Sequence, residues 1–201
     1  MISRHAGFTI IELMITVALI AVLATIAAPS LRDLVKNARM TSLANDLMTD
    51  LSVARAEAVK RGVRTTICTS SDGASCTATE WNQGWIVFAE SDTTGSFGTV
   101  DGGDVILKVA PKTDDADTLI TSINHLGPAP GKYLSFRPSG MTTPGGTGAT
   151  STIEFYMCDS RSTDKVGAAA ASNKGRHLTV SGTGRAIAAR CTCSVATLCA
   201  P

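Results

Sequence analysis

Aromatic residues make up only 4% of this 201-residue chain and charged residues only 17%, and the formal net charge is +1. A chain so close to neutral does not behave as a polycation that coats nucleic acid along its length. Histidine occurs three times. His125 and His177 have no nucleophile signature beside them, and His5 lies in the first seven residues. There is no Gly-x-Ser-x-Gly elbow and no phosphate-binding glycine loop, so nothing in the pattern points to an enzyme. Disorder of the whole chain is excluded, because 44% of the residues are hydrophobic and little net charge opposes collapse. Most of that apolar share is Ala, Val, Ile and Leu, and 18 glycines forecast many turns.

The strongest feature is one long apolar run. Phe8 to Ala28 reads FTIIELMITVALIAVLATIAA, with Glu12 as its one charge. As a helix it would span ~31 Å, the thickness of a bilayer's hydrocarbon core. A secretory signal peptide has a shorter apolar core followed by a small-residue cleavage site. Ala24, Ala27 and Ala28 would supply such a site, but amphipathic helix follows where a mature domain should begin. A carboxylate inside a spanning segment costs ~2.5–3.5 kcal/mol near the centre. Glu12 therefore calls for a partner, and no basic residue lies one or two turns further along. A positive group on another subunit is the simplest candidate.

The sequence Gly7-Phe8-Thr9-Ile10-Ile11-Glu12-Leu13 resembles the class III signal of type IV pilins and of the pseudopilins of secretion systems. The resemblance implies that residues 1–7, carrying Arg4, are a leader removed by prepilin peptidase after Gly7, with N-methylation of the new terminus, Phe8. Glu12 becomes the fifth mature residue, which the family pairs with a neighbouring subunit's terminal amine. A buried carboxylate and a nearby amine relieve each other's desolvation, so the chemistry agrees. Pro29 stands where the family commonly has a helix-softening proline.

Apolar periodicity resumes beyond Pro29, which is expected to kink the helix without ending it. Leu31, Leu34, Val35, Ala38, Leu43, Leu47, Leu51, Ala54 and Ala58 recur at steps of three and four, with a slip near Met40. Arg32, Lys36, Asn37, Asp46, Asp50 and Glu57 are expected on the opposite, solvated side. Gly62 follows Lys60 and Arg61 as a stop signal. The organisation read from this is a leader (1–7), a membrane or fibre-core half of the helix (8–28), an amphipathic half (29–62) and a β-rich head (63–201).

In the head the period changes to two. Strands are expected at Arg64–Thr69, Trp85–Glu90, Val105–Val109, Thr118–Ile123, Tyr133–Arg137, Thr152–Cys158, Arg176–Ser181 and Arg185–Arg190, with Gly167–Gly175 as a flexible loop. The fold class is α+β: a long N-terminal helix packed on an antiparallel sheet or sandwich. Trp81-Asn82-Gln83-Gly84-Trp85-Ile86-Val87-Phe88 resembles the Trp-centred strand of GspH/FimT-type minor pilins and pseudopilins. Leu134-Ser135-Phe136-Arg137-Pro138-Ser139-Gly140 resembles their Phe-x-Pro-x-Gly turn, and Val180-Ser181-Gly182-Thr183-Gly184-Arg185 their closing Gly-Arg strand. Trp81 and Trp85 are expected in the core.

Six cysteines, at 68, 76, 158, 191, 193 and 199, read as disulfides in an oxidising compartment. Cys68 and Cys76 would close a short loop. Cys158 would be clipped to Cys191 or Cys193, leaving the other for Cys199. Cys191-Thr192-Cys193 is a poor zinc half-site. Asp92–Asp104 and Asp114–Asp117 offer oxygens for calcium, yet they lack the spacing of a calcium loop, and turn chemistry accounts for them equally. No metal or cofactor is expected.

Charge is segregated along the chain. Residues 72–117 carry net −7, and residues 161–201 carry net +5. Some FimT-type proteins bind DNA through a Gly-Arg-x-Arg motif; Gly184-Arg185-Ala186-Ile187 keeps its first half and has Ile187 in place of the second Arg. Lys174, Arg176, Arg185 and Arg190 remain candidates for phosphate contacts. The resemblance implies a minor pilin that assembles into, initiates or caps a type IV pilus. A minor pseudopilin of a type II secretion system and a DNA-binding pilin for DNA uptake are the alternatives. It further implies other major and minor pilins, prepilin peptidase and an inner-membrane assembly platform as partners. The chain is expected in the bacterial inner membrane with its head periplasmic, and after assembly in the fibre at the cell surface.

Overall fold

The computed structural model describes residues 7–77, 80–91, 98–113, 119–123, 132–143, 152–159 and 172–193; at 29, 119, 121–123, 172–174 and 192–193 the backbone alone is described. Helix α1 runs Ile10–Arg61. It begins at Ile10, two residues later than expected, because Thr9 acts as its N-cap. The Thr9 hydroxyl accepts from the Glu12 N–H at 3.3 Å, and Thr9 N–H lies 3.5 Å from Glu12 Oε2, a capping box in Thr-x-x-Glu spacing. The helix runs through Pro29. At its far end the Gly62 N–H donates to Ala58 O at 3.1 Å, and Lys60 pairs with Glu57 at 3.3 Å.

The chain divides into two units, 1–39 and 40–201. In the first, the apolar side chains from Phe8 to Ile26 are exposed, Phe8 at 71% and Ile10 at 81%. Among the described residues α1 is the one helix long and apolar enough to cross a membrane.

In the second unit, α1 buries Met40, Ala44, Leu47, Leu51, Ala54 and Ala58, a strict alternation of four- and three-residue steps that keeps one stripe inward. The slip noted near Met40 marks the start of this stripe: Met40 and Ala44 enter the core, and Leu43 is only partly buried. Eight strands follow: β1 (Thr65–Thr69), β2 (Trp85–Ala89), β3 (Val105–Ala110), β4 (Leu119–Ile123), β5 (Tyr133–Phe136), β6 (Ile153–Cys158), β7 (Ser172–Val180) and β8 (Ala186–Cys193). They form two antiparallel four-stranded sheets, ordered β3-β2-β1-β5 and β4-β6-β7-β8. Ile67, Trp85, Val87, Leu134 and Phe136 of the first sheet share one core with Ile120, Phe155, Met157, Leu178 and Val180 of the second. Trp81 lies edge-on to Phe155, ring centres 5.0 Å apart.

The strand positions agree with the sequence reading, with one correction. Of the loop expected at Gly167–Gly175, residues 167–171 lie outside the described residues, and β7 already begins at Ser172. A register shift between Ser172 and Gly175 breaks the period-two alternation that would have revealed it. Asp50 is a second correction. It was placed on the solvated side of the helix, but it is 1% exposed.

The outer face of the first sheet carries a small second core of Cys68, Cys76, Ile86 and Phe88. Cys68 and Cys76 are joined, Cα–Cα 5.6 Å. Inside that loop the Ser75 hydroxyl and the backbone N–H groups of Ala74 and Ser75 hold the Asp72 carboxyl well below the usual carboxylate range.

Candidate functional site

The N-terminal segment presents the expected processing residues outside regular structure. Gly7 and Phe8 precede the first helical turn and are exposed, and among the described residues nothing beyond its chain neighbours lies within 4 Å of where a Gly7 side chain would stand. Glu12, one turn further, is occupied with its own chain: it accepts from the Thr9 hydroxyl at 3.4 Å. Sequence reading looked for its partner among cations and overlooked the Thr9-x-x-Glu12 spacing that signals a cap.

The head motifs converge on a helix residue that none of them contains. The Phe-x-Pro-x-Gly turn ends at Gly140 (φ +75°) and the Gly-Arg turn at Gly184 (φ +78°), both left-handed. Arg55 of α1 donates from Nε to Gly140 O at 3.0 Å. A Cβ on Gly184 would collide with the Gly140 carbonyl and come within 2.9 Å of Arg55 Nε; one on Gly140 would come within 3.3 Å of Arg55 Nε. The Thr142 N–H, just after the first turn, donates to Gly182 O at 3.0 Å. The glycines of the two motifs therefore let two turns and one guanidinium meet at close quarters. Alongside runs an open groove of about 860 Å³, bounded by Ser52, Arg55, Val59 and Lys60 on α1 and by Gly140 and Arg185 opposite.

The candidate phosphate contacts fall in different places. Arg176 and Arg190 are cross-strand partners on β7 and β8, and Arg176 Nη2 donates to Thr41 Oγ1 of α1 at 2.9 Å. Arg185 lies at the groove, five residues from Arg190, or ~16 Å along an extended strand. The side chain of Lys174 lies outside the described residues. Arg176, Arg185 and Arg190 do not form one strip.

Cys158 and Cys191 are both disulfide-bonded. Gly175 pairs with Cys191 and Arg176 with Met157, which sets β7 between the two cysteines at two strand spacings, ~9.6 Å. A disulfide spans at most about 7 Å between Cα atoms. The register thus rules out the Cys158–Cys191 option among the expected pairings. The side chains of Cys193 and Cys199 lie outside the described residues.

Of the acidic loops, Asp104 accepts from Ser91 N–H at 2.9 Å and Asp101 N–H at 3.1 Å, which is turn chemistry. Asp92 and Asp114–Asp117 lie outside the described residues, as does His125. Among the described residues no cluster of three His, Cys, Asp or Glu could hold a metal. His177 stacks on Tyr156, ring centres 4.7 Å apart, and stands 3.5 Å from Glu154. Partial burial and the hydrogen bond to Glu154 push the Tyr156 hydroxyl up to about 12.

Residues 43–184 match the family model described as type II transport protein GspH. Residues 2–28 match the prokaryotic N-terminal methylation motif. No curated protein matches the chain. Two crystal structures of the Pseudomonas aeruginosa type IV minor pilin FimU are similar in fold. One is 19% identical with a TM-score of 0.48, covering 74% of this chain and 87% of that one. The other is 18% identical with a TM-score of 0.46, covering 74% and 91%. With the methylation motif at its N-terminus and the GspH model across most of its length, the chain belongs to the GspH/FimT family of minor pilins and pseudopilins.

Proposed function

We propose that this chain is a minor pilin that assembles into, initiates or caps a type IV pilus once prepilin peptidase has cut behind Gly7 and Phe8 has been N-methylated. The observation that carries this is the exposed Gly7–Phe8 pair at the foot of an apolar helix whose side chains, among the described residues of their unit, are exposed. Such a helix is satisfied in two settings, a bilayer or a bundle of its own kind. In the first the head faces the periplasm and the helix anchors the chain in the inner membrane. In the second the helices line the core of a fibre, with Glu12 meeting a neighbour's terminal amine. Its partners on this reading are other major and minor pilins and an inner-membrane assembly platform.

A second reading shares this chemistry and places it in a type II secretion pseudopilus; the description of the matching family model favours it. Mass spectrometry of fibres sheared from the cell surface separates the two. A peptide beginning at N-methylated Phe8 in that fraction supports the surface pilus. The same peptide confined to the inner membrane supports the pseudopilus, and an uncut N-terminus everywhere overturns both.

A further inference from the structure

The apolar surface of α1 continues past the membrane-length run. Leu31, Leu34, Val35 and Ala38 are all exposed, the first three by at least 44%. Around the helix axis they occupy an arc of ~100°. Arg32, Lys36 and Arg39 occupy an adjacent arc of ~60°, and both arginines are exposed. All of these residues belong to the first unit. An apolar stripe edged by cations is the pattern of a helix that lies along a membrane surface, its apolar side in the acyl boundary and its charges at the headgroups.

A straight, upright helix would leave this second apolar stripe in water. The run from Phe8 to Ala28 already fills the hydrocarbon core. Leu34 lies ~9 Å beyond Ala28 and Ala38 ~15 Å, whereas the headgroup layer on each side is only ~5–8 Å deep. The means of bending stands at the junction. Pro29 has no N–H to give to the carbonyl of Thr25. On either side of it the Thr25 hydroxyl donates to Val22 O at 2.7 Å and the Ser30 hydroxyl to Ala27 O at 2.9 Å. Back-bonding of this kind competes with the helix ladder and lets the helix bend.

The cations also stand on an unusual side. Lys and Arg next to a span are ordinarily kept in the cytoplasm. The Cys68–Cys76 bond belongs to an oxidising compartment, so Arg32, Lys36 and Arg39 cross the membrane with the head and emerge level with the phosphates of the far leaflet. We propose that α1 bends at Pro29 before the chain enters a fibre, and that residues 30–39 then lie along the periplasmic face of the membrane. Leu31, Leu34, Val35 and Ala38 enter the acyl boundary, and Arg32, Lys36 and Arg39 bind the phosphates of anionic phospholipids. This rests on the membrane anchoring proposed above and adds a lipid partner to it. Lifting the subunit into a fibre has to break the contact, so anionic lipid opposes that step.

The test reconstitutes the full chain carrying Leu34→Trp into vesicles of phosphatidylcholine, alone or mixed with phosphatidylglycerol, with the lipids brominated high on the acyl chain. Trp81 and Trp85 are buried, and the signal of the chain without the substitution is subtracted. Each cation near an anionic surface favours docking by about fivefold, so phosphatidylglycerol is expected to raise bromine quenching of the added indole. Arg32→Gln, Lys36→Gln and Arg39→Gln together are expected to return quenching to its value in phosphatidylcholine. Pro29→Ala, which restores the missing N–H, is expected to lower it in the mixed vesicles. Equal quenching in the two lipids overturns the headgroup contact, and quenching that Pro29→Ala leaves unchanged overturns the bend. A chain that floats with the vesicles but shows no quenching at position 34 leaves the anchoring standing and overturns the docking. A chain that does not float overturns both.

Discussion

The indole N–H of Trp85 donates to the Asp50 carboxylate at 2.8 Å, joining β2 to the helix inside the apolar interface. Lys108 of β3 bonds the other carboxylate oxygen. Asp50 is 1% exposed, whereas the Lys108 side chain is 44% exposed, so one end of the pair stays in water while the other is sealed. A buried carboxylate with two good partners is tolerated; the same site stripped of one partner leaves an uncompensated group. Trp85 is thus more than filler of the core, since its ring packs there while its N–H fixes the helix against the sheet.

Removing this carboxylate has a definite expected result. Asp50→Ala leaves the buried indole N–H without its acceptor, while the half-exposed Lys108 ammonium returns to water, and should cost about 1–3 kcal/mol. Adding Lys108→Met should change the loss little, because the Lys108 end of the pair is already in water. Urea unfolding of the detergent-solubilised chain followed by Trp fluorescence reads both. Equal midpoints for the single variant and wild type would remove Asp50 from the list of tethers.

Asp50 also shows what the sequence made legible. The two-part chain, the helix stop at Gly62 and most strand positions follow from local patterns: an uninterrupted apolar run, a three-four stripe, then alternation of two. Asp50 itself lies three residues after Leu47 and four before Ala54, spacing that puts it beside the buried stripe. Its polarity argued for solvent, because its partners come from strands 35 and 58 residues away. Arg55 was hidden for the same reason. Its role depends on Gly140, 85 residues distant, and on a second turn that nothing nearby in sequence announces. The N-terminal methylation motif was legible because it is a contiguous string. The groove was not, since it exists only once two turns and a helix are brought together.

The meeting of the two turns can be broken by one methyl group. Gly184 has φ +78°, and a Cβ there would strike the Gly140 carbonyl and crowd Arg55. Gly184→Ala should therefore lower stability by about 1–3 kcal/mol, seen as a lower Tm in a thermal melt. Gly102→Ala is the control: among the described residues nothing lies within 4 Å of its Cβ position, and the melt should move little. Equal shifts for the two variants would mean that the turns do not need to touch.

Glu90 supplies a pH dependence with a definite sign. It is 5% exposed. Burial raises its carboxyl pKa above the ordinary 4.5, against the opposing hydrogen bond from Thr66 and the charge of Arg64. Arg64 Nε stands 3.6 Å from Glu90 Oε2, and the Thr66 hydroxyl donates to Oε1 at 2.6 Å. Between 4.5 and the raised value the folded chain holds a proton that the unfolded chain has released, so stability falls as pH rises through this window. One proton changes stability by at most about 1.4 kcal/mol per pH unit. Asp72 and Glu57, whose carboxyls are lowered, contribute slopes of the opposite sign. The readout is therefore the difference between Glu90→Gln and wild type. The variant should gain on wild type as pH is raised from 4.5, measured as urea midpoints across the series. A constant offset at every pH would show that Glu90 titrates as an ordinary exposed carboxylate.

Glu12 has two demands upon it, and they can be separated. In the single chain it closes the capping box with Thr9, whereas in the proposed fibre its charge meets a neighbour's amine. Glu12→Gln keeps a side-chain acceptor for the cap and loses the charge. Cleavage after Gly7 and membrane retention should then proceed as in wild type, since both depend on the signal and the apolar run. Entry into fibres should fall by about tenfold or more, the effect of losing an interaction of ~1.4 kcal/mol. Thr9→Val removes the side-chain cap and leaves the charge, so it should shift the helix start with little change in assembly. Immunoblots of sheared-fibre and membrane fractions compare the three chains. Should Thr9→Val block assembly as strongly as Glu12→Gln, the helix cap would be the requirement, and the charge of Glu12 would have no separate part in joining subunits.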